Sequence, residues 1–113
     1  MREYIPDNWV IFKIIKDGFI IYKVLGGWSG GYLHSSSWQM NSGIVGVTEN
    51  ASYYHFKGYS GSLYKCSKTS YGIRMNIAAV ADNLLKKYPD TVTLMSEDTN
   101  WFDLDFNTSL AQS

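Results

Sequence analysis

Gly26-Gly27-Trp28-Ser29-Gly30-Gly31-Tyr32-Leu33 contains Gly-x-Ser-x-Gly, the spacing that in many hydrolases surrounds a nucleophilic serine. That chemistry requires a sharp strand-to-helix turn on a large α/β sheet, with an acid and a histidine following the serine. No helix-period pattern follows Ser29, and 113 residues are too few for such a sheet. Only Glu49 and His55 follow in the required order, and His55, set among Tyr53, Tyr54 and Phe56, reads as a hydrogen-bonded packing residue rather than a general base. The motif is therefore a turn or a ligand loop, and no catalytic residue is assigned.

A near-copy of the loop lies 31 residues further on, where Gly27-Trp28-Ser29-Gly30 is matched by Gly58-Tyr59-Ser60-Gly61, with Ser62 in place of the last glycine. Each copy follows a strand-like segment. Glycine-rich turns of this kind can expose backbone N–H groups to an anion, and a neighbouring aromatic ring offers a stacking face. One reading takes Trp28 and Tyr59 as stacking rings, and the loop N–H groups with Ser29, Gly30, Ser60, Gly61 and Ser62 as a phosphate cradle. Lys65, Lys68 and Arg74, the last near the start of a helix, would then neutralise charge. In the other reading the glycines only make hairpins and the rings cover sheet ends. The residues leave both open.

Metal chemistry has little to work with. His34, His55 and Cys66 are too few and lack paired spacing for a zinc site. Asp103, Asp105 and Asn107 alternate, but the glycine turn and terminal glutamate of a calcium loop are missing, so a solvated strand face is expected. No cofactor is implied.

Ten basic and ten acidic residues give a formal net charge of zero, which removes the global field that draws a protein to nucleic acid or to an anionic membrane. Charged residues make up 18% and aromatics 16%, more rings than a core of this size easily hides, so some are expected on a contact surface. The single cysteine excludes an internal disulfide. The opening stretch lacks the apolar run of a signal peptide, and no membrane-length segment occurs, so a cytosolic setting is expected.

The elements that must position these loops are legible in outline. Residues 9 to 25 are β-branched and aromatic around Asp17-Gly18, a two-residue turn that pairs Lys16 with Phe19 and Phe12 with Lys23. Trp9, Ile11, Ile15, Ile20 and Val24 share the opposite side from Phe12, and both faces are apolar enough to be covered. A hairpin is expected over 43 to 48 and 52 to 57, then a strand near 62 to 66. The one helix spans 71 to 88, capped by Thr69 or Ser70 and ended by Pro89. Strands at 91 to 95 and 101 to 106 follow, the latter with Phe102, Leu104 and Phe106 inward and Trp101 outward. Trp38, flanked by polar residues, is expected to be more exposed than Trp9. The chain is thus expected to form a single α+β domain over 1 to 113, a curled antiparallel sheet of about six or seven short strands with one amphipathic helix packed on it.

Gly-Trp-Ser-Gly-Gly followed by Ser-Trp-Gln-Met-Asn-Ser-Gly (residues 37 to 43) in a short chain rich in Trp and Tyr resembles small proteins encoded by tailed bacteriophages. Gly27-Trp28-Ser29-Gly30 also resembles the Gly-Trp-Asn-Gly turn of a phage anti-defence family that sequesters nucleotide signals, although the rest of the sequence departs from that family. The duplicated Gly-aromatic-Ser-Gly loops, the nearby basic residues and the lack of a catalytic set, with the phage setting the resemblance implies, lead to the expectation of a non-enzymatic accessory protein in the host cytoplasm that binds a small phosphate-bearing nucleotide or similar anion and counters a host defence signal. The competing expectation is a protein-interaction module, an inhibitor of a host enzyme or a structural subunit, using its rings and the acidic Glu97, Asp98, Asp103 and Asp105. A homodimer fits either.

Overall fold

In the computed structural model, residues 2–29 and 37–106 are described. The longest element pair is the hairpin β2 (Asn8–Lys16) and β3 (Phe19–Trp28), paired in unbroken register from Lys16 and Phe19 to Asn8 and Gly27. Its turn has φ of 54° at Asp17 and 82° at Gly18, the two positive values that match the twist of the flanking strands. The alternation of side chains then makes two apolar faces from one hairpin.

Each face is covered, by a different layer. Trp9, Ile11, Tyr22 and Val24 pack against Phe56, Tyr64 and Cys66 of a second sheet, with Ile20 partly buried beside them. Ile15, expected on this face, is 44% exposed near the turn of the hairpin. Val10, Phe12 and Leu25 pack on the other face against Ile77 and Ala81 of the helix α1 (Met75–Lys87). The order of layers is sheet, sheet, helix.

The first layer contains β5 (Ile44–Glu49), β6 (Tyr53–Gly58) and β7 (Leu63–Ser67) as an antiparallel meander, with β1 (Glu3–Tyr4) added parallel to β7. The middle layer has the order β4 (Ser37–Met40), β3, β2, β8 (Val92–Leu94). The single curled sheet expected from sequence is thus replaced, among the described residues, by two four-stranded sheets, eight strands in all, with β1 parallel to β7. The reason is the twofold burial of the β2–β3 hairpin: an apolar surface on each side needs two covers, and one helix supplies only one.

Two further expectations change. The helix begins at Met75 rather than near residue 71, because residues 70 to 72 are tied to the sheet: Trp9 N–H donates to Ser70 O (3.2 Å) and Gly72 N–H to Trp9 O (2.9 Å). Neither Thr69 nor Ser70 caps it; Arg74 occupies that position without a side-chain bond. The tail forms a 3-10 turn at Trp101–Asp103 in place of a strand, with Asn100 accepting a hydrogen bond from Phe102 N–H (3.1 Å). Trp101 is 1% exposed and Phe102 48%, the reverse of the expected alternation, because the turn lets the indole join Trp9, Phe56 and Tyr71. Leu104 and Phe106 still pack partly on the core. Trp38 is 50% exposed, far more than Trp9 at 1%.

Tyr71 ties the layers together. Its hydroxyl donates to Met95 O (2.5 Å) and accepts from Ile11 N–H (3.2 Å). Burial pushes the phenol up to about 12, the Ile11 N–H opposes this, and Glu97 adds to the rise. An unfolded tyrosine ionises near its ordinary value of 10, so above that pH the unfolded chain has lost a proton that the folded chain keeps. Stability contributed by the neutral phenol is full below pH 10 and falls as pH rises towards 12. Chemical denaturation at stepped pH is expected to show a falling midpoint across this window, and a smaller fall in Tyr71→Phe.

Candidate functional site

A groove of about 530 Å³ lies where the outer ends of the two sheets meet the β6–β7 turn. Arg2 and Tyr4 come from the β1 segment, Asn41 and Ser42 from the end of β4, and Ser60 and Ser62 from the turn. The β1 segment is held here by Leu63 N–H donating to Arg2 O (2.8 Å) and by the parallel register of Tyr4 with Tyr64.

The turn owes its shape to glycine. Gly61 has φ of 95°, and at Gly58 an added Cβ would lie 2.9 Å from Ser62 Oγ, so the chain closes tightly at both positions. All four N–H groups from 58 to 61 are then consumed within the protein. Gly58 donates to Ser62 O (2.8 Å), Tyr59 to Gly43 O (2.8 Å), Ser60 to Ser42 Oγ (2.9 Å) and Gly61 to Gly58 O (2.9 Å). The backbone cradle expected of this loop is therefore not formed. What the turn presents instead is side-chain oxygen: the hydroxyls of Ser60 and Ser42 bond each other at 3.2 Å, with Ser62 beside them.

The charge at the groove comes from Arg2. Its guanidinium donates to Tyr4 Oη at 3.2 Å, and this bond together with the Tyr4 charge interaction raises its pKa further. Tyr4 stacks at 4.9 Å on Tyr64, whose phenol is pushed well above its ordinary range by burial, with Tyr4 and Cys66 adding. Asn41 is 4% exposed; its Oδ1 accepts from Val24 N–H (2.8 Å), while its buried Nδ2 has no hydrogen-bond partner. No carboxylate, histidine or cysteine lines the groove among the described residues.

Of the residues singled out from sequence, Ser60, Gly61 and Ser62 line this groove. Trp28 reaches it only through Tyr4, an edge-on contact at 6.2 Å, and its indole N–H donates to Ile5 O (3.0 Å). Ser29 N–H is bound to Asp7 Oδ2 (2.7 Å), which places a carboxylate where a phosphate had been expected. Gly30 lies outside the described residues, as do His34 and Asn107. Tyr59 stands on the far side of the Ser42–Ser60 pair.

The expected cations disperse. Lys65 alternates with the inward Tyr64 and Cys66, so it points off the outer face of its sheet, over the Tyr53 ring at 4.6 Å. Lys68 pairs with Glu49 at 3.1 Å and lies over Tyr54. Arg74 begins the helix, on the opposite side of the middle sheet. His55 stands opposite Lys65 on that outer face, and its buried Nε2 has no hydrogen-bond partner. Among the described residues no cluster of His, Cys, Asp and Glu could hold a metal, and no helix is long and apolar enough to cross a membrane.

Arg2, Tyr4 and Asn41 had no signal in the sequence. A two-residue parallel pairing between positions 3–4 and 63–64 leaves no local periodicity, and Asn41 looks like any polar loop residue until its burial is known. Comparison of the chain with protein-family models, curated proteins and solved structures gave no match, so the groove is interpreted from its own geometry.

Proposed function

We propose that this protein binds a small phosphate-bearing molecule, a nucleotide or a similar anion, in the groove between Arg2 and the Ser42–Ser60–Ser62 hydroxyls, without turning it over. The observation that carries the reading is the convergence of one guanidinium and three serine hydroxyls on a cavity free of carboxylates among its described lining residues. A cavity of about 530 Å³ suits a ligand of nucleotide size. Binding rather than catalysis is favoured because the described lining offers no histidine, carboxylate or thiol to act as a general base.

The phage setting implied by the sequence resemblance belongs to this proposal. Sequestering a host defence signal needs affinity and abundance, not turnover. A protein-interface reading is favoured separately by Trp38, 50% exposed on an edge strand, and by Met75, 95% exposed at the helix start. Retention of a host protein on immobilised chain, abolished by Trp38→Ala, would support it.

A thermal-shift panel of nucleotides and sugar phosphates tests the groove directly. At least one is expected to raise the melting temperature, and Arg2→Gln is expected to weaken that ligand about ten- to a hundredfold, the worth of a charge-assisted hydrogen bond. Arg2 is exposed, so its replacement leaves the core intact. A panel without any stabiliser, or an Arg2→Gln protein that binds as well as the parent, refutes the reading.

A further inference from the structure

Behind the Ser42–Ser60 pair lies a second cleft of about 200 Å³, and its character is opposite to that of the groove. Ile20, Ile21, Ile44, Val45, Phe106 and the ring of Tyr59 line it, with Ser42 common to both walls. The register of β5 with β6 shifts between Ile44 and Gly46, and Val45, the residue in that irregularity, is part of the cleft wall. Tyr59 is 71% exposed although its backbone is fixed by the bond from its N–H to Gly43 O (2.8 Å). An anchored loop thus holds out a large ring at the mouth of an apolar cleft, next to a polar groove with a single cation.

We propose that the ligand is a nucleoside-like molecule carrying one phosphoryl group, its planar base in the cleft against Tyr59 and its phosphoryl group at Arg2. This rests on the groove reading and adds the chemistry of the ligand's other end. A sugar spans the Ser42–Ser60 ridge, where hydroxyls on the protein meet hydroxyls on the ring. The base enters the aliphatic cleft and stacks on a phenol ring that an anchored backbone presents at its mouth. Charge sets the phosphoryl count: Arg2 is the one charged side chain among the described groove residues, and a polyphosphate would bring several anionic groups to a single guanidinium.

Isothermal titration of the whole chain with ribose 5-phosphate, adenosine and guanosine 5′-monophosphates, and adenosine 5′-triphosphate tests the assignment. At least one monophosphate is expected to bind about tenfold or more tightly than ribose 5-phosphate, the gain from one stacked base. Tyr59→Ala should erase that difference and leave ribose 5-phosphate within about twofold, while Tyr59→Phe keeps it. Equal affinity for ribose 5-phosphate and both monophosphates, or an equal loss for all in Tyr59→Ala, overturns the base-in-cleft assignment and leaves the groove reading standing. A triphosphate that binds more tightly than either monophosphate overturns the one-phosphoryl assignment. If no phosphate compound binds at all, the groove reading fails and this inference falls with it.

Discussion

Trp9→Ala is expected to remove about 4–8 kcal/mol of stability, a large share of the roughly 5–15 kcal/mol that holds a folded domain together. The indole is 1% exposed and touches the rings of Tyr54, Phe56, Tyr71 and Trp101 at centroid distances of 6.1, 5.5, 4.7 and 5.9 Å. Truncating a buried tryptophan costs about 3–5 kcal/mol through lost burial and the cavity left behind. A second loss comes from Ser67 O, which accepts the indole N–H at 2.7 Å and would be stranded, at about 1–3 kcal/mol. Urea unfolding followed by far-UV circular dichroism should show either no cooperative transition or a much lower midpoint. Trp9→Phe keeps a ring in the cluster but not the N–H donor, and is expected to lose about half as much. A Trp9→Ala protein within about 2 kcal/mol of the parent would mean that the ring cluster is not the centre of the core.

Gly27→Ala should cost about 3 kcal/mol although it adds one carbon. A Cβ at Gly27 would stand 2.5 Å from Asn76 Oδ1 and 2.6 Å from its Cγ. Asn76 cannot simply swing aside: its Nδ2 donates to Asn8 Oδ1 at 2.6 Å, and Asn8 in turn donates to Gly72 O at 3.1 Å. Asn8 is 0% exposed and Asn76 9%, so breaking the chain leaves buried amides without partners. Because the same contact seats the first turn of α1 on β3, the alternative is to lift the helix off Val10, Phe12 and Leu25. A double-mutant cycle isolates the effect: in an Asn76→Ala background the added methyl meets no amide, and Gly27→Ala should then cost under about 1 kcal/mol. Equal costs in the two backgrounds would show that the penalty is in the strand backbone rather than in the Asn8–Asn76 clasp.

Both predictions rest on residues whose importance is unevenly visible in the chain. Trp9 announces itself through its place in an apolar alternating segment. Gly27, in Gly-Gly-Trp-Ser-Gly, reads as loop punctuation, whereas it is a strand residue paired with Asn8 and Trp38 whose missing side chain makes room for a helix. A glycine that permits a turn and a glycine that permits a close approach look alike until the neighbour is known.

The same division runs through the fold and the candidate site. Local chemistry is written in local sequence: the Asp17-Gly18 turn, the register it sets, the β5–β6–β7 meander, α1 and β8 all follow from turn residues and periodicity within one or two elements. The 3-10 turn at Trp101 escaped that reading because alternation in Trp101-Phe102-Asp103-Leu104 competes with a ring cluster assembled from four separate segments. For the site, Ser60, Gly61 and Ser62 could be picked out, since Gly-aromatic-Ser-Gly has few structural uses. Their partners could not be. Whether a loop N–H is free depends on which carbonyl or hydroxyl lies opposite, and Gly43 O and Ser42 Oγ take two of them from another strand connection. Likewise a lysine's availability depends on whether Glu49 or a tyrosine ring lies across the sheet. Turn residues and side-chain period made the hairpins and the helix legible in the chain, because those rest on φ preferences and on spacing within one or two elements; the likeness of Gly27-Trp28-Ser29-Gly30 to Gly58-Tyr59-Ser60-Gly61 misled, since Gly27 and Trp28 belong to a strand while Gly58-Tyr59-Ser60-Gly61 closes a turn. That the Ser60 turn meets Arg2, Tyr4 and Asn41 in a groove, while Ser29 at the end of the strand copy is held by Asp7, emerges only in three dimensions, because pairing between distant segments is set by what each buries and leaves no trace in spacing.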